Sequence, residues 1–113
     1  MTPTDIITIV DRITPNAHTD ADKLRWLTQL DDELRAELFP GTEPDADRAD
    51  ALLIPDPWAE EIYTAYLQAC MAWADEEDAR YDRFILRFND AYLRYARLLM
   101  DERVRDPRLP LKF

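Results

Sequence analysis

Large apolar and aromatic side chains recur every three to four residues along the second half of the chain, and neither Gly nor Pro occurs from Trp58 to Met100. This spacing is typical of amphipathic helices. Four stripes result: Trp58, Ile62, Tyr66, Ala69 and Trp73; Tyr63, Leu67, Cys70 and Ala74; Phe84, Phe88, Ala91, Tyr95 and Leu98; Tyr81, Ile85, Tyr92 and Leu99. A helix that is apolar on two sides must be covered on two sides, and we expect another subunit to cover part of this surface.

The first half of the chain predicts two more helices. One runs over residues 5–13, and the other runs from residue 20 to about Phe39 with a core stripe of leucines. The residues that start and stop them are Thr4 and Pro15 for the first, and Thr19, Asp22, Pro40 and Gly41 for the second. The leucine stripe of the second helix comprises Leu24, Leu27, Leu30, Leu34 and Leu38.

Residues 41–56 form an acidic loop, in which we expect Leu52-Leu53-Ile54 to fold back onto the core. Asp56 is predicted to cap the third helix, with Pro57 at its first position. A break at residues 75–78, capped by Asp75 or Asp78, separates a fourth helix, although one continuous helix is the alternative. The pattern predicts an all-α bundle of about four helices over residues 1–105 and an extended arm over residues 106–113. The predicted core is Leu24, Leu27, Leu30, Leu34, Ile62, Tyr66, Trp73, Phe84, Phe88 and Tyr95.

Charge is distributed unevenly along the chain, whose net charge is −10. Residues 1–78 hold 19 acidic and 5 basic side chains, whereas residues 79–113 hold 5 acidic and 9 basic ones. This division favours contacts between the acidic surface of one subunit and the basic surface of the next, and the overall sign argues against tight binding to nucleic acid. The residues predicted at such a subunit interface are Glu33, Glu37, Glu60, Glu61, Arg83, Arg87 and Arg94.

Candidate catalytic groups are few, and we expect no enzyme, cofactor or metal site. The chain has no serine, its one histidine (His18) lies in a predicted turn, and its one cysteine (Cys70) lies in an apolar stripe. The enzyme alternative is an all-helical nucleotide pyrophosphohydrolase that binds Mg²⁺ through paired carboxylates. The pairs are Glu33 and Glu37, Glu60 and Glu61, and Asp75 and Asp78.

Five arginines of the predicted fourth helix fall within about a quarter of its circumference. They could meet an acidic partner, or they could form a ladder of pairs along the helix, which we favour. The ladder would join Glu76 to Arg80, Arg87 to Asp90, Asp90 to Arg94, and Arg97 to Asp101. The cations left to meet a partner would be Arg83, Arg103, Arg105, Arg108 and Lys112.

An ordered set of residues along nearly the whole chain resembles the small head-to-tail connector (adaptor) proteins encoded in the packaging modules of tailed phages and prophages. The set comprises Asp11, Pro15-Asn16-Ala17, Lys23-Leu24-Arg25-Trp26-Leu27, Leu30-Asp31, Leu53-Ile54-Pro55, Tyr63, Tyr66-Leu67-Gln68-Ala69, Tyr81, Phe88-Asn89-Asp90-Ala91-Tyr92 and Tyr95. The chain departs from the pattern at Asp75-Glu76-Glu77, where the family more often has Asn-Gly-Glu.

The resemblance implies a structural virion protein, made in the host cytoplasm, that forms a ring of about twelve copies. Such a ring docks onto the portal of the filled capsid, contacts a stopper or tail-completion protein, and lets DNA pass through its lumen. The family's C-terminal segment reaches the portal, which here corresponds to Arg105, Pro107, Arg108, Leu109, Pro110, Leu111, Lys112 and Phe113. The alternative is a soluble acidic adaptor or DNA-mimic inhibitor, and in neither case is a signal peptide or membrane span expected.

Overall fold

The computed structural model describes residues 1–41 and 51–105, the last two as backbone alone. Within these ranges the chain forms four helices and no strand: α1 (Pro3–Ile13), α2 (Asp20–Leu38), α3 (Trp58–Ala74) and α4 (Asp78–Arg105). The predicted all-α bundle of four helices is therefore confirmed. None of these helices has both the length and the apolar character that crossing a bilayer requires. The arm predicted over residues 106–113 lies outside the described residues.

Helix α1 begins two residues earlier than predicted, because Thr2 rather than Thr4 is its N-cap. The Thr2 hydroxyl accepts a hydrogen bond from the Asp5 amide at 3.2 Å, and the Asp5 carboxylate accepts one from the Thr2 amide at 3.0 Å. These two bonds form a capping box with Pro3 in the first turn, where its missing N–H costs nothing. The reciprocal pair decides the start of the helix, since Thr4 has no acidic residue three positions further on.

Helix α2 begins as predicted, with the Thr19 hydroxyl accepting a hydrogen bond from the Asp22 amide at 3.1 Å. Leu27, Leu30, Leu34 and Leu38 are buried, whereas Leu24 is 46% exposed. The core position on that turn is taken by Lys23, with 3% of its side chain exposed. Leu24 was therefore wrongly assigned to the core, since the buried stripe passes through the residue before it.

Helix α3 has no side-chain cap, and the prediction that Asp56 caps it is wrong. The carbonyl oxygen of Pro55 accepts hydrogen bonds from the amides of Trp58 and Ala59, both at 3.1 Å. Asp56 instead has a carboxylate oxygen 3.5 Å from the amino group of Met1. The Asp56–Pro57 peptide bond is cis.

The break between α3 and α4 is confirmed, and it has the geometry of a Schellman motif. The Glu77 amide donates to the Ala72 carbonyl at 2.9 Å, and the Glu76 amide donates to the Trp73 carbonyl at 3.2 Å. Glu76, which follows the C-cap residue Asp75, adopts φ +57°, a left-handed conformation that usually requires glycine. The chain therefore reverses direction at the position where a side chain is least favourable.

Helix α3 is the centre of the molecule, because each of the other helices packs against it. The backbone of α4 approaches α3 and neither α1 nor α2. The buried residues of α3 accordingly lie on every side of its axis: Ala59, Ile62, Tyr63, Thr64, Ala65, Leu67, Gln68, Ala69, Met71 and Ala72. Leu52 and Ile54 are also buried, which confirms that the end of the acidic loop folds onto the core.

The apolar stripes of α3 and α4 are only partly buried. Tyr95 is buried, whereas Tyr66, Phe84 and Phe88 are half-buried. Trp73 is 72% exposed, so its assignment to the core is wrong. It lies in the last turn of α3, at the rim of a groove of 190 Å³ that Trp26 and Tyr81 also line.

Candidate functional site

Two side chains, Cys70 and His18, are the candidates for nucleophilic chemistry. Cys70 is partly buried, and burial raises the pKa of its thiol to about 11, which keeps it protonated and unreactive near neutral pH. His18 lies between α1 and α2, where its Nε2 atom is 3.0 Å from a carboxylate oxygen of Asp75 and its ring meets Trp26 edge-on. This contact attaches the α1–α2 turn to the end of α3.

The three carboxylate pairs that could hold Mg²⁺ lie apart, on α2, at the start of α3 and at the α3–α4 turn. All six side chains are exposed. Within residues 1–41 and 51–103, no three His, Cys, Asp or Glu side chains gather closely enough to hold a metal ion. The pyrophosphohydrolase alternative needs convergent carboxylates, so it has no geometric support in this part of the chain.

One polar cluster joins α1, the following turn and α2. The Nζ atom of buried Lys23 is 2.5 Å from Oδ1 of Asp11, and the hydrogen bond from Lys23 lowers the pKa of the Asp11 carboxyl. The side-chain amide of Asn16 donates from Nδ2 to the same oxygen at 3.1 Å and to the Thr14 carbonyl at 2.9 Å. A buried ammonium group is tolerated only when it is paired and hydrogen-bonded, and Asp11 provides that pairing.

A second polar cluster attaches the segment before α3 to α2. The Asp31 carboxylate accepts hydrogen bonds from the Tyr63 hydroxyl and, at 2.9 Å, from the Leu53 amide. The Tyr63 hydroxyl in turn accepts one from the Ile54 amide at 3.0 Å. Burial raises the pKa of Asp31 even though both of its hydrogen bonds act in the opposite direction. The cluster satisfies backbone groups that would otherwise be buried without partners.

Both clusters were missed by the sequence analysis, although their members belong to the residues that carry the resemblance. A signal was present in the case of Lys23, which lies four residues before Leu27 on the buried stripe of α2. A charged residue at such a spacing requires an opposite charge nearby. Asp31 carries the same signal, since it lies four residues after Leu27 and three before Leu34 on that stripe.

Arg103 is buried and does not belong to the cations free to meet a partner. Its Nη2 atom donates to the carbonyl oxygen of Leu38 at 2.6 Å, and its guanidinium lies 4.8 Å from the centre of the Phe39 ring. The acceptor is at the C-terminus of α2, where the helix dipole favours a positive charge. Arg103 therefore connects the ends of α2 and α4.

Three of the predicted interface residues line one groove. Glu60, Glu61 and Arg87 surround a space of 330 Å³ between α1 and α4, with Ile9 and Ile13 on the α1 side. The groove exists because α1 and α4 pack on α3 without approaching each other. The groove places acidic and basic side chains beside exposed apolar surface, and such a mixture suits a contact with another chain.

Arg94 is paired within the chain, at 3.0 Å from Glu61 on α3 and 3.2 Å from Asp90 on α4. Glu61 and Arg94 were predicted to pair with residues of neighbouring copies. They pair with each other within one copy, because α3 and α4 lie side by side. Such exposed pairs contribute at most about 1 kcal/mol each. The place of these residues at a subunit interface stays a prediction for all seven: Glu33, Glu37, Glu60, Glu61, Arg83, Arg87 and Arg94.

The arginine ladder is present in part. Asp90 pairs with Arg94 as predicted, whereas Arg80 pairs with Glu77 at 2.9 Å rather than with Glu76. Glu76 sits in the left-handed position of the turn and is not on the α4 surface. Among the described side chains, the predicted pairs of Arg87 with Asp90 and of Arg97 with Asp101 do not form.

A row of large apolar side chains is exposed along α4. Leu86 is 66% exposed, Leu93 50% and Met100 41%, and their spacing of seven residues places them on one line. This line, here called the α4 row, points away from α3, since Ala91 and Tyr95 on the other side of the helix are buried. An exposed apolar row of this kind is a candidate interaction surface.

Leu24 is exposed on α2, between two grooves of 590 and 270 Å³ that it helps to line. The residues along α2 that border this surface, here called the α2 trough, include Asp20, Leu24, Thr28, Asp31, Asp32 and Arg35. No residue of α4 lines either groove. The α2 trough and the α4 row are therefore separate surfaces.

The predicted portal-binding residues 107–113 lie outside the described residues, and Arg105 is described only as the last residue of α4. Comparisons of the chain with protein-family models, with curated proteins and with solved structures find no match.

Proposed function

We propose that this chain is the subunit of a head-to-tail connector of a tailed double-stranded DNA phage or prophage. A ring of about twelve copies docks onto the portal of the DNA-filled capsid and joins it to a stopper or tail-completion protein. DNA passes through the lumen of the ring, and no catalysis is involved.

The exposed α4 row is the observation that carries this proposal. Leu86, Leu93 and Met100 are exposed on a helix whose backbone approaches only α3 among the described helices. Each buried leucine contributes about 1.5–3 kcal/mol relative to an exposed one, so covering this row stabilises an assembly appreciably. A chain with unused apolar surface is suited to assembly.

Charge supports passage of DNA rather than its retention. The described residues before α4 are strongly acidic, and an acidic lumen repels phosphates. The basic surplus lies in α4 and the residues that follow it, where it can meet acidic surfaces of neighbours or of the portal.

The C-terminal segment is the proposed anchor on the portal. Leu109, Leu111 and Phe113 alternate with cations and prolines, a pattern suited to an extended strand that lies along a partner's groove.

Negative-stain imaging of the purified chain mixed with DNA-filled capsids tests the proposal. We expect a ring of density below the portal vertex that is absent from the other vertices and from capsids lacking the portal. A chain that remains a small particle and ignores portal-bearing capsids would contradict the proposal and favour the acidic adaptor or DNA-mimic alternative.

A further inference from the structure

The α4 row and the α2 trough are two different surfaces of one chain. The backbone of α4 approaches only α3, while α2 packs against α1 and α3. When one surface of a copy binds a different surface of the next copy, the contact is heterologous, and repetition produces a ring or a filament rather than a two-fold dimer.

We propose that the α4 row of one copy packs antiparallel against α2 of the next copy, with Leu93 on Leu24. The occupant of the α2 trough is thus a second copy of this chain. This contact would hold neighbouring subunits of the proposed connector together. It rests on the proposed function only in that successive contacts of this kind close into a ring.

In this register Leu93 and Leu24 form the apolar centre of the contact, whereas Leu86 lies opposite Asp31 and Met100 lies opposite Ala17, before the start of α2. With Leu93 opposite Leu24, Arg97 lies opposite Asp20, and in the other direction Asp82 lies opposite Arg35. Helical rise is constant at about 1.5 Å per residue, so the positions stay aligned along both helices. A parallel arrangement with the same leucines would place Arg97 opposite Thr28 and bring no opposite charges together.

The charges that would pair across this contact make no salt bridge within one chain, although Arg35 is near enough to Asp31 to act on it electrostatically. Among the described residues, none of Asp20, Arg35, Asp82 and Arg97 forms an ion pair. Leu24 and Leu93 are both about half exposed, at 46% and 50%. Opposite charges flanking an apolar centre fix the register of a contact and disfavour alternatives.

Mixing two defective variants distinguishes this contact from others. Leu93→Glu removes the α4 row and Leu24→Glu removes the α2 trough, so each variant alone should be monomeric in sedimentation velocity while the wild-type chain self-associates. An equimolar mixture keeps one intact surface of each kind, and we expect it to form a species of two chains and nothing larger. Both leucines are exposed, so thermal melts should remain close to that of the wild-type chain.

Charge reversal tests the register independently. Arg97→Asp should weaken wild-type self-association by about tenfold or more, and adding Asp20→Arg in the same chain should restore it. Ala36→Glu adds a negative charge on an exposed α2 position outside the trough, and it should leave self-association unchanged.

Three results would overturn the contact: a wild-type chain that stays monomeric at the highest soluble concentration, a mixture of the two leucine variants that remains monomeric, or a Leu24→Glu chain that still self-associates through α4 alone. A different result would contradict the connector function without contradicting the contact. If the mixture forms two-chain species but wild-type oligomers ignore portal-bearing capsids, the contact stands and the proposed function does not.

Discussion

At the scale of single residues, Glu76 occupies a position that disfavours any side chain. Its φ of +57° costs about 1–2 kcal/mol for a residue with a Cβ atom. We expect Glu76→Gly to raise the free energy of unfolding by about 1 kcal/mol, since the gain exceeds the added freedom of the unfolded chain. Urea denaturation measures the effect.

Glu76→Ala is the matched control, because it removes the charge and keeps the Cβ atom. The difference between the two variants reports the backbone alone, and equal stabilities would show that the conformation is not strained. Gly41→Ala should destabilise the protein, because Gly41 also has a left-handed backbone, with φ +82°. No atom lies within 4 Å of the added Cβ, so the cost comes from the backbone conformation alone.

Also at this scale, the Tyr63 hydroxyl is an acceptor for a buried amide and a donor to Asp31. Tyr63→Phe leaves the Ile54 amide without its partner, and we expect a loss of about 1–3 kcal/mol in denaturation experiments. Tyr92→Phe is the comparison, since the buried Tyr92 hydroxyl makes no hydrogen bond of normal geometry among the described residues, although burial and the nearby Glu37 carboxylate raise its pKa. Its removal should be neutral or stabilising.

The cost of Tyr63→Phe should also depend on pH. The pKa of Asp31 is raised by burial, so the folded state loses stability as pH rises through that raised value. The hydrogen bond from Tyr63 lowers this pKa, and removing it raises the pKa further. The substitution should therefore cost more at neutral pH than at about pH 4. An equal loss of unfolding free energy at the two pH values would show that Asp31 is not titrating in this environment.

At the scale of helices, the two faces of α4 should respond differently to truncation. Phe88 packs on Tyr66 with ring centres 5.2 Å apart and on Tyr92 at 5.9 Å. We expect Phe88→Ala to cost about 2–4 kcal/mol and lower the midpoint of a thermal melt. Leu86→Ala, on the exposed row of the same helix, should change it little. A melt unaffected by Phe88→Ala would show that this face is not part of the core.

At the scale of the whole molecule, assembly should be sensitive to salt. In the proposed ring, acidic surface on one copy would attract basic surface on the next through many exposed pairs, each weak alone and screened by ions. We expect ring occupancy on portal-bearing capsids to fall as salt rises above about 0.15 M. Sedimentation across a salt series measures this, and an unchanged occupancy would indicate an interface that is apolar throughout.

Deleting residues 106–113 should leave the helical fold intact and abolish docking to the portal. The described contacts between α3 and α4 are made by residues before 106. Far-UV circular dichroism checks the fold, and cosedimentation with capsids and release of DNA check docking. A truncated chain that still docks and retains DNA in the capsid would show that the tail is not the anchor.

The ends of most elements followed from the sequence because they depend on neighbouring residues. Thr19 caps α2, the residues around Pro40 end it, and the acidic turn at residues 75–78 separates α3 from α4. Caps and turns are local chemistry, and short spacings decide them. The all-α class followed for the same reason, from periodicity within each helix.

Only the tertiary structure decided which surfaces are covered. Leu24 and Trp73 have the spacing of core residues and are exposed, whereas Lys23 and Arg103 are charged and buried. Periodicity identifies an apolar face but cannot rank two such faces on one helix, and it carries no information about partners distant in the chain. The Asp31–Tyr63 cluster and the separation of the α4 row from the α2 trough arise from the packing of three helices around α3, and no local pattern specifies that arrangement.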